Sequence, residues 1–321
     1  MLISCKNREL NFSIDAPPSK SIYHRELIIR FLCGETDRLE PVAGDNDDVL
    51  ATKACLKALL SAKNHRETPA SLSPDRTNDI YLPCNESGST LRFMIPVAAA
   101  YLLGDRNSSL SQGDSDSQNT DPDFSTRLIF QTEGRLFDRP IKELQEALFS
   151  HGIIISRNEE DRTIIVTGRM TPGEYIIGGS VSSQYISGLL MALTCFTEPC
   201  SVMVLGEIKS IHYIELTQAV LRKYGVPAEL SENIYTTNVG GYKPLADAPV
   251  FHVEGDWSNG AFLLCLKEFT KIEVGNLDTE SKQGDVAILR FLASVKDVRS
   301  SHLELQADSL WDCKDIPDIT P

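Results

Sequence analysis

The sequence has no long apolar run, no cysteines at metal or redox spacing, and no excess of positive charge. Its longest hydrophobic stretches, such as "MIPVAAAYLL", fall short of the roughly 20 residues that cross a bilayer. Its first ten residues, "MLISCKNREL", carry charges where a secretory signal needs its apolar segment. Eight cysteines, at 5, 33, 55, 84, 195, 200, 265 and 313, are scattered without CxxC pairs. They read as reduced core residues, not as a disulfide or zinc framework. The six histidines lack metal-ligand spacing and no Ser-His-Asp arrangement is legible. A net charge of -14 argues against nucleic acid as the main partner, because phosphate backbones demand basic surfaces. The expectation is a cytoplasmic protein with no metal, no cofactor and no membrane partner.

What is present is length and repetition. The 321 residues suffice for about two domains and a large core. Four segments begin with small polar residues and continue as apolar helices: "SKSIYHRELIIRFLCG", "ESGSTLRFMIPVAAAYLLG", "SSQYISGLLMALTCF" and "DWSNGAFLLCLKEF". Each is followed by a more amphipathic helix: "DDVLATKACLKALLS", "RPIKELQEALFSHG", "YIELTQAVLRKYGV" and "GDVAILRFLASV". Short β-like runs such as "RLIFQTE", "RTIIVTG" and "CSVMVLG" lie between them. The unit reads as strand, buried helix, strand, surface helix, then strands, since the first set is apolar all round and the second carries a stripe. Residues 62–79 and 105–125 are polar, bury too little to order themselves, and read as surface loop insertions more readily than as functional lids.

Several helix starts carry anion-donor chemistry. Ser21 reads as an N-cap, and Lys20 and Arg25 stand beside it although a helix N-terminus repels cations. Two cations next to free backbone N–H groups suit a phosphate or carboxylate; a solvated helix end with incidental charges is the plain alternative. In "NESGSTLR", Gly88 lets backbone approach a ligand and Arg92 sits one turn in, against a simple Ser cap with a solvated arginine. In "GRLFDRP", Arg135 is the better candidate and Arg139 reads as structural. Ser182, Ser183 and Gln184 fall in the capping turn of an apolar helix, and Ser210 and Tyr213 open another. His24 reads as a surface or capping residue, and the acids of "DNDD" as a helix cap. If the buried helices run parallel, their dipoles and these cations converge on a site for more than one anionic group.

The order of "PPSKSIYHREL", "DNDDVLATKACLKALL", "ESGSTLRFMIP", "GRLFDRPIKELQEAL", "SVSSQYISGLLMA", "IKSIHYIELTQAVL", "VEGDWSNGAFLL", "QGDVAILRFL" and "DIPDITP" resembles the 5-enolpyruvylshikimate-3-phosphate synthase family. The resemblance implies an α/β (α+β) fold of two domains, built from βαβαββ repeats around parallel buried helices, with substrates between the domains. It implies a complete three-repeat domain over 16–240 with the two insertions, and a partial second domain from 1–15 plus 241–321. The implied reaction moves the enolpyruvyl group of phosphoenolpyruvate to the 5-hydroxyl of shikimate-3-phosphate and releases phosphate, in a monomer that needs no cofactor. Lys20, Ser21, Arg25, Ser182, Ser183, Gln184, Ser210 and Asp318 would bind shikimate-3-phosphate. Lys20, Gly88, Arg135 and Gln184 would bind phosphoenolpyruvate, with Lys20 and Asp318 catalytic and Asp318 the proton acceptor. Tyr213 is a weaker candidate.

This chain departs from the family pattern at His24 and Glu86, where many relatives carry Asn, and Glu86 adds negative charge beside an anion site. It also stops at Pro321, where a fifth buried helix is expected, so negligible transfer activity with weak shikimate-3-phosphate binding is the expectation. A non-catalytic shikimate-3-phosphate-binding fragment is the alternative from another class. The UDP-N-acetylglucosamine enolpyruvyl transferases are the alternative enzyme, but their Lys-Asn pair and cysteine loop are not seen.

Overall fold

In a computed structural model the chain folds as two compact units. The structure describes residues 12–67, 78–104, 126–180, 182–237, 240–268 and 270–301, so Asp318 and the expected insertion at 105–125 lie outside it. The larger unit takes residues 24–209 and 217–250; the described part of the smaller takes 12–23, 210–216 and 251–301. Strand β1 (Ser13–Asp15) and helices α1 (Lys20–Leu32) and α2 (Asp47–Glu67) come first.

Two copies of the expected repeat follow. The first is β2 (Asp79–Asn85), α3 (Gly88–Leu103), β3 (Arg127–Thr132), α4 (Lys142–Phe149), β4 (Ile153–Asn158) and β5 (Thr163–Gly168). The second is β6 (Glu174–Gly178), α5 (Ser183–Leu193), β7 (Ser201–Leu205), α6 (Ile211–Lys223), β8 (Glu229–Ser231) and β9 (Ile234–Thr236). Their sheets share one topology, with orders β2-β3-β5-β4 and β6-β7-β9-β8. In each sheet the first pair is parallel and the other two pairs are antiparallel. Parallel neighbours need a crossover, and the buried helices α3 and α5 supply it. Each sheet keeps one wet face, so Ile153 and Ile155 are buried while Ile154 between them is exposed.

The central helices are apolar all round for a reason. Eleven residues of α3, from Thr90 to Leu103, and ten of α5 are buried. Gly188 lets the two helices approach closely: a Cβ there would lie 2.9 Å from the Arg92 carbonyl and 3.1 Å from Pro96 Cγ.

In the smaller unit β1 runs parallel to β10 (Glu273–Gly275), and α7 (Trp257–Lys267) is capped by Asp256, which accepts the Ser258 N–H at 3.0 Å. Trp257 and Ala261 of α7 pack on Ile288 at the start of α8 (Ile288–Ser301). The four expected helix pairs are thus present. No helix among the described residues is long and apolar enough to cross a membrane.

Three local expectations change. Residues 62–67 belong to α2 and not to a loop, because Ala, Lys, Arg and Glu favour helix even when nothing apolar faces inward. Helix α1 opens at Lys20, so the cap position is Ser19 and not Ser21: the Ser19 carbonyl accepts the Tyr23 N–H at 2.9 Å. His24 is neither exposed nor a cap; it is 1% exposed, beneath the first turn of α3.

Candidate anion-binding site

The site in the larger unit is built on the first turns of α3 and α5. Ser87 caps α3 by accepting the Thr90 N–H at 3.2 Å, and Ser182 caps α5 by accepting the Gln184 N–H at 3.3 Å. The Gln184 amide joins the two ends: its Oε1 accepts from Arg92 Nη1 at 2.7 Å and its Nε2 donates to Ser89 Oγ at 2.9 Å. Two helix N-termini, each carrying about half a positive charge, therefore stand side by side with a guanidinium between them. Ser183 is buried in the first turn of α5, while Gly88 and Gln184 remain partly exposed.

Arginines gather at Gly88. A Cβ on Gly88 would lie 3.0 Å from Arg139 Nη1, a tight contact, and 3.6 Å from Arg92 Nη1, an ordinary one, so both guanidinium groups border this position. The turn carrying Arg139 is held from β4 and from the turn before β5: Arg157 Nη2 donates to the Arg139 carbonyl at 2.9 Å and Arg162 Nη2 to the Gly134 carbonyl at 3.0 Å. Arg135 is exposed in the same turn. The Glu86 carboxylate lies against Gly134, whose φ of +53 and missing side chain make room for it. Tyr185 completes the floor, donating to the Pro140 carbonyl at 2.6 Å with Arg92 Cζ 5.8 Å from its ring centre. Burial pushes the Tyr185 phenol up, and the Arg92 charge opposes that shift.

Arg25 is turned inward. It is 1% exposed, its Nε donates to Thr217 Oγ1 at 2.7 Å and its Nη2 to Ser187 Oγ at 3.2 Å. Its Cζ lies 5.0 Å from the Phe93 ring centre. Because Ser187 is on α5 and Phe93 on α3, this arginine ties α1 to both buried helices of the repeats.

In the smaller unit Lys20 is exposed and Ser21 partly exposed on the first turn of α1. Ser210 precedes α6 with φ of +54, a strained conformation for serine, and its carbonyl accepts the Tyr213 N–H at 3.2 Å.

Within the larger unit the structure thus brings together Gly88, Ser182, Ser183 and Gln184, and adds Arg92 and Arg139. A signal for Arg92 was available, because it stands four residues after Gly88 and so projects from the same helix face. Arg139 carries no such periodicity. Only the fold of the β3–α4 turn delivers it to Gly88.

Sequence comparisons with known proteins agree on one family. The family model of EPSP synthase (3-phosphoshikimate 1-carboxyvinyltransferase) matches residues 5–306. A 3-phosphoshikimate 1-carboxyvinyltransferase of Clostridium novyi is 28% identical over 98% of this chain and 71% of its own length. One of Clostridioides difficile is 28% identical over 89% of this chain and 62% of its own. A solved EPSP synthase of Acinetobacter baumannii superposes with a TM-score of 0.58 at 18% identity, covering 89% of this chain and 60% of that one. The chain therefore spans roughly two thirds of the length of the relatives it matches.

Proposed function

We propose, from the premise that this chain belongs to the EPSP synthase (3-phosphoshikimate 1-carboxyvinyltransferase) family, that its work is enolpyruvyl transfer from phosphoenolpyruvate to the 5-hydroxyl of shikimate-3-phosphate. The observation that carries this reading is the Gln184 bridge. One amide, fixed by Arg92 and Ser89, spans two helix N-termini with a second arginine against Gly88. Such an arrangement suits a ligand with two anionic groups, and phosphoenolpyruvate carries a carboxylate and a phosphate.

In this reading Gly88, Arg135 and Gln184 hold phosphoenolpyruvate, and Ser182, Ser183 and Gln184 reach shikimate-3-phosphate. The family resemblance adds Lys20, Ser21 and Ser210 to the shikimate-3-phosphate contacts, with Lys20 also serving phosphoenolpyruvate, while Arg25, buried against Thr217 and Ser187, supports the site through α5 instead of touching the ligand. Asp318 accepts the proton of the attacking hydroxyl. The enol methylene gains a proton as the 5-hydroxyl oxygen bonds to the adjacent carbon. The tetrahedral intermediate then expels phosphate and loses a methyl proton, restoring the double bond. Its charge is stabilised by cations and helix ends placed beforehand, which is electrostatic work. The protein is read as a cytoplasmic monomer.

Calorimetric titration with each substrate, followed by a phosphate-release assay with both, tests the reading. Saturable binding of both with phosphate release supports transfer. Saturable binding without release supports a non-catalytic binder. Absence of saturable binding refutes the site.

A further inference from the structure

A continuous chain of buried hydroxyls runs from His24 to the cap of α3. His24 Nδ1 lies 2.7 Å from Thr52 Oγ1, which lies 2.8 Å from Thr90 Oγ1, which in turn lies 2.8 Å from Ser87 Oγ. His24, Thr52, Thr90 and Ser87 are all buried, so water is not available to complete their bonding. The ends of the chain are fixed by groups that act in one sense only. Thr90 Oγ1 lies 3.1 Å from the Asp48 carbonyl, which can only accept, and Ser87 Oγ accepts the Thr90 N–H.

Each hydroxyl has one proton, so the directions follow. The Thr90 proton goes to the Asp48 carbonyl. Thr52 and Ser87 must then both donate to Thr90 Oγ1, which fills its two lone pairs. With its proton spent on Thr90, Thr52 can only accept from His24, and the proton between them belongs to Nδ1. The opposite assignment would require Thr52 to donate to a bare Nδ1 and Thr90 to donate to Thr52. That would leave two oxygen lone pairs facing each other between Thr90 and Asp48.

We infer that His24 is a positioning residue, held as an Nδ1–H donor, which through Thr52 holds the Thr90 side chain between Ser87 and the Asp48 carbonyl and with it the first turn of α3. Its consequence for ligands rests on the proposed role of Gly88 in anion binding; the proton arrangement itself does not. An asparagine at position 24 would place its amide nitrogen where Nδ1 stands, since both atoms are two bonds beyond Cβ. A phenylalanine would not donate, and valine at position 52 would break the chain at its second member.

The test is two ligand-free measurements on the full chain. Long-range nitrogen–proton NMR with labelled histidine, assigned by the signal missing in His24→Asn, should show His24 protonated at Nδ1. Hydrogen exchange at the Thr90 amide should be about fivefold faster or more in His24→Phe and Thr52→Val, as for loss of a cap, and within about twofold of the parent in His24→Asn. If His24→Phe fails to fold, Thr52→Val supplies the same readout. A His24 ring protonated at Nε2 and bare at Nδ1 overturns the inference. So does Thr90 exchange that is unchanged in Thr52→Val, or that is as fast in His24→Asn as in Thr52→Val. Phosphoenolpyruvate titration of the parent protein is a separate arm: its failure refutes the proposed function and leaves these two results standing.

Discussion

Replacing Gly188 by alanine should loosen the contact on which the candidate site is built. The new Cβ would meet the Arg92 carbonyl oxygen at 2.9 Å, Pro96 Cγ at 3.1 Å and Phe93 Cα at 3.3 Å. Two of these are backbone atoms and the third belongs to a rigid ring, so none can rotate away. Comfortable contacts lie near 3.5–4.0 Å, so α3 and α5 must separate by about half an ångström. Alanine gains about 0.5–1 kcal/mol over glycine inside a helix, while overpacking a close-packed contact costs about 1–3 kcal/mol. At mid-range values the clash wins, leaving about 1 kcal/mol of destabilisation, or a fall of about 2–4 °C in Tm for a unit of this size. Because Gln184 stands one turn before Gly188, the same shift stretches its 2.9 Å bond to Ser89 and should weaken phosphoenolpyruvate binding. Calorimetry of unfolding and of binding read both effects. A variant at least as stable as the parent would refute the packing argument. A destabilised variant with unchanged affinity would refute the link between helix spacing and the site.

Lys53 and Asp45 form a 2.7 Å ion pair with both side chains 2% exposed, so Lys53→Met should cost about 3–5 kcal/mol in urea unfolding by stranding a carboxylate. Adding Asp45→Asn should recover most of that loss; no recovery would mean the pair is not the cause. Arg139→Ala removes an exposed side chain, so Tm should hold within about 1 °C while phosphoenolpyruvate affinity falls about tenfold, as for one charged hydrogen bond. Unchanged affinity would return Arg139 to a structural role. Burial pushes the Cys33 thiol up to about 11 and raises those of Cys55 and Cys200. Thiolate, the reactive form, is therefore scarce at pH 8, and these three should resist a thiol reagent until the protein unfolds. Rapid native-state labelling of any of them contradicts the burial.

The sequence by itself determined the repeat and, to within about two residues, the places where its buried helices begin. Helices apolar all round can only be central, helices with a stripe can only lie on a surface, and their alternation with short strands yields βαβαββ without knowledge of any contact. Ser87 and Ser182 were legible as caps because capping depends on residues within three positions of each other. Gly88 and Gln184 were legible as candidate site residues for the same local reason. Tertiary structure alone decided what those helix ends face. Arg139 reaches Gly88 from another turn, and Arg92 finds Gln184 across 92 positions of sequence rather than solvent. His24, outwardly a surface residue, lies buried because Thr52 and Thr90 offer its ring nitrogen a hydroxyl chain from two other helices. Periodicity fixes which way a side chain leaves its own helix. Which partner waits there depends on chain closure over distances that no local pattern encodes.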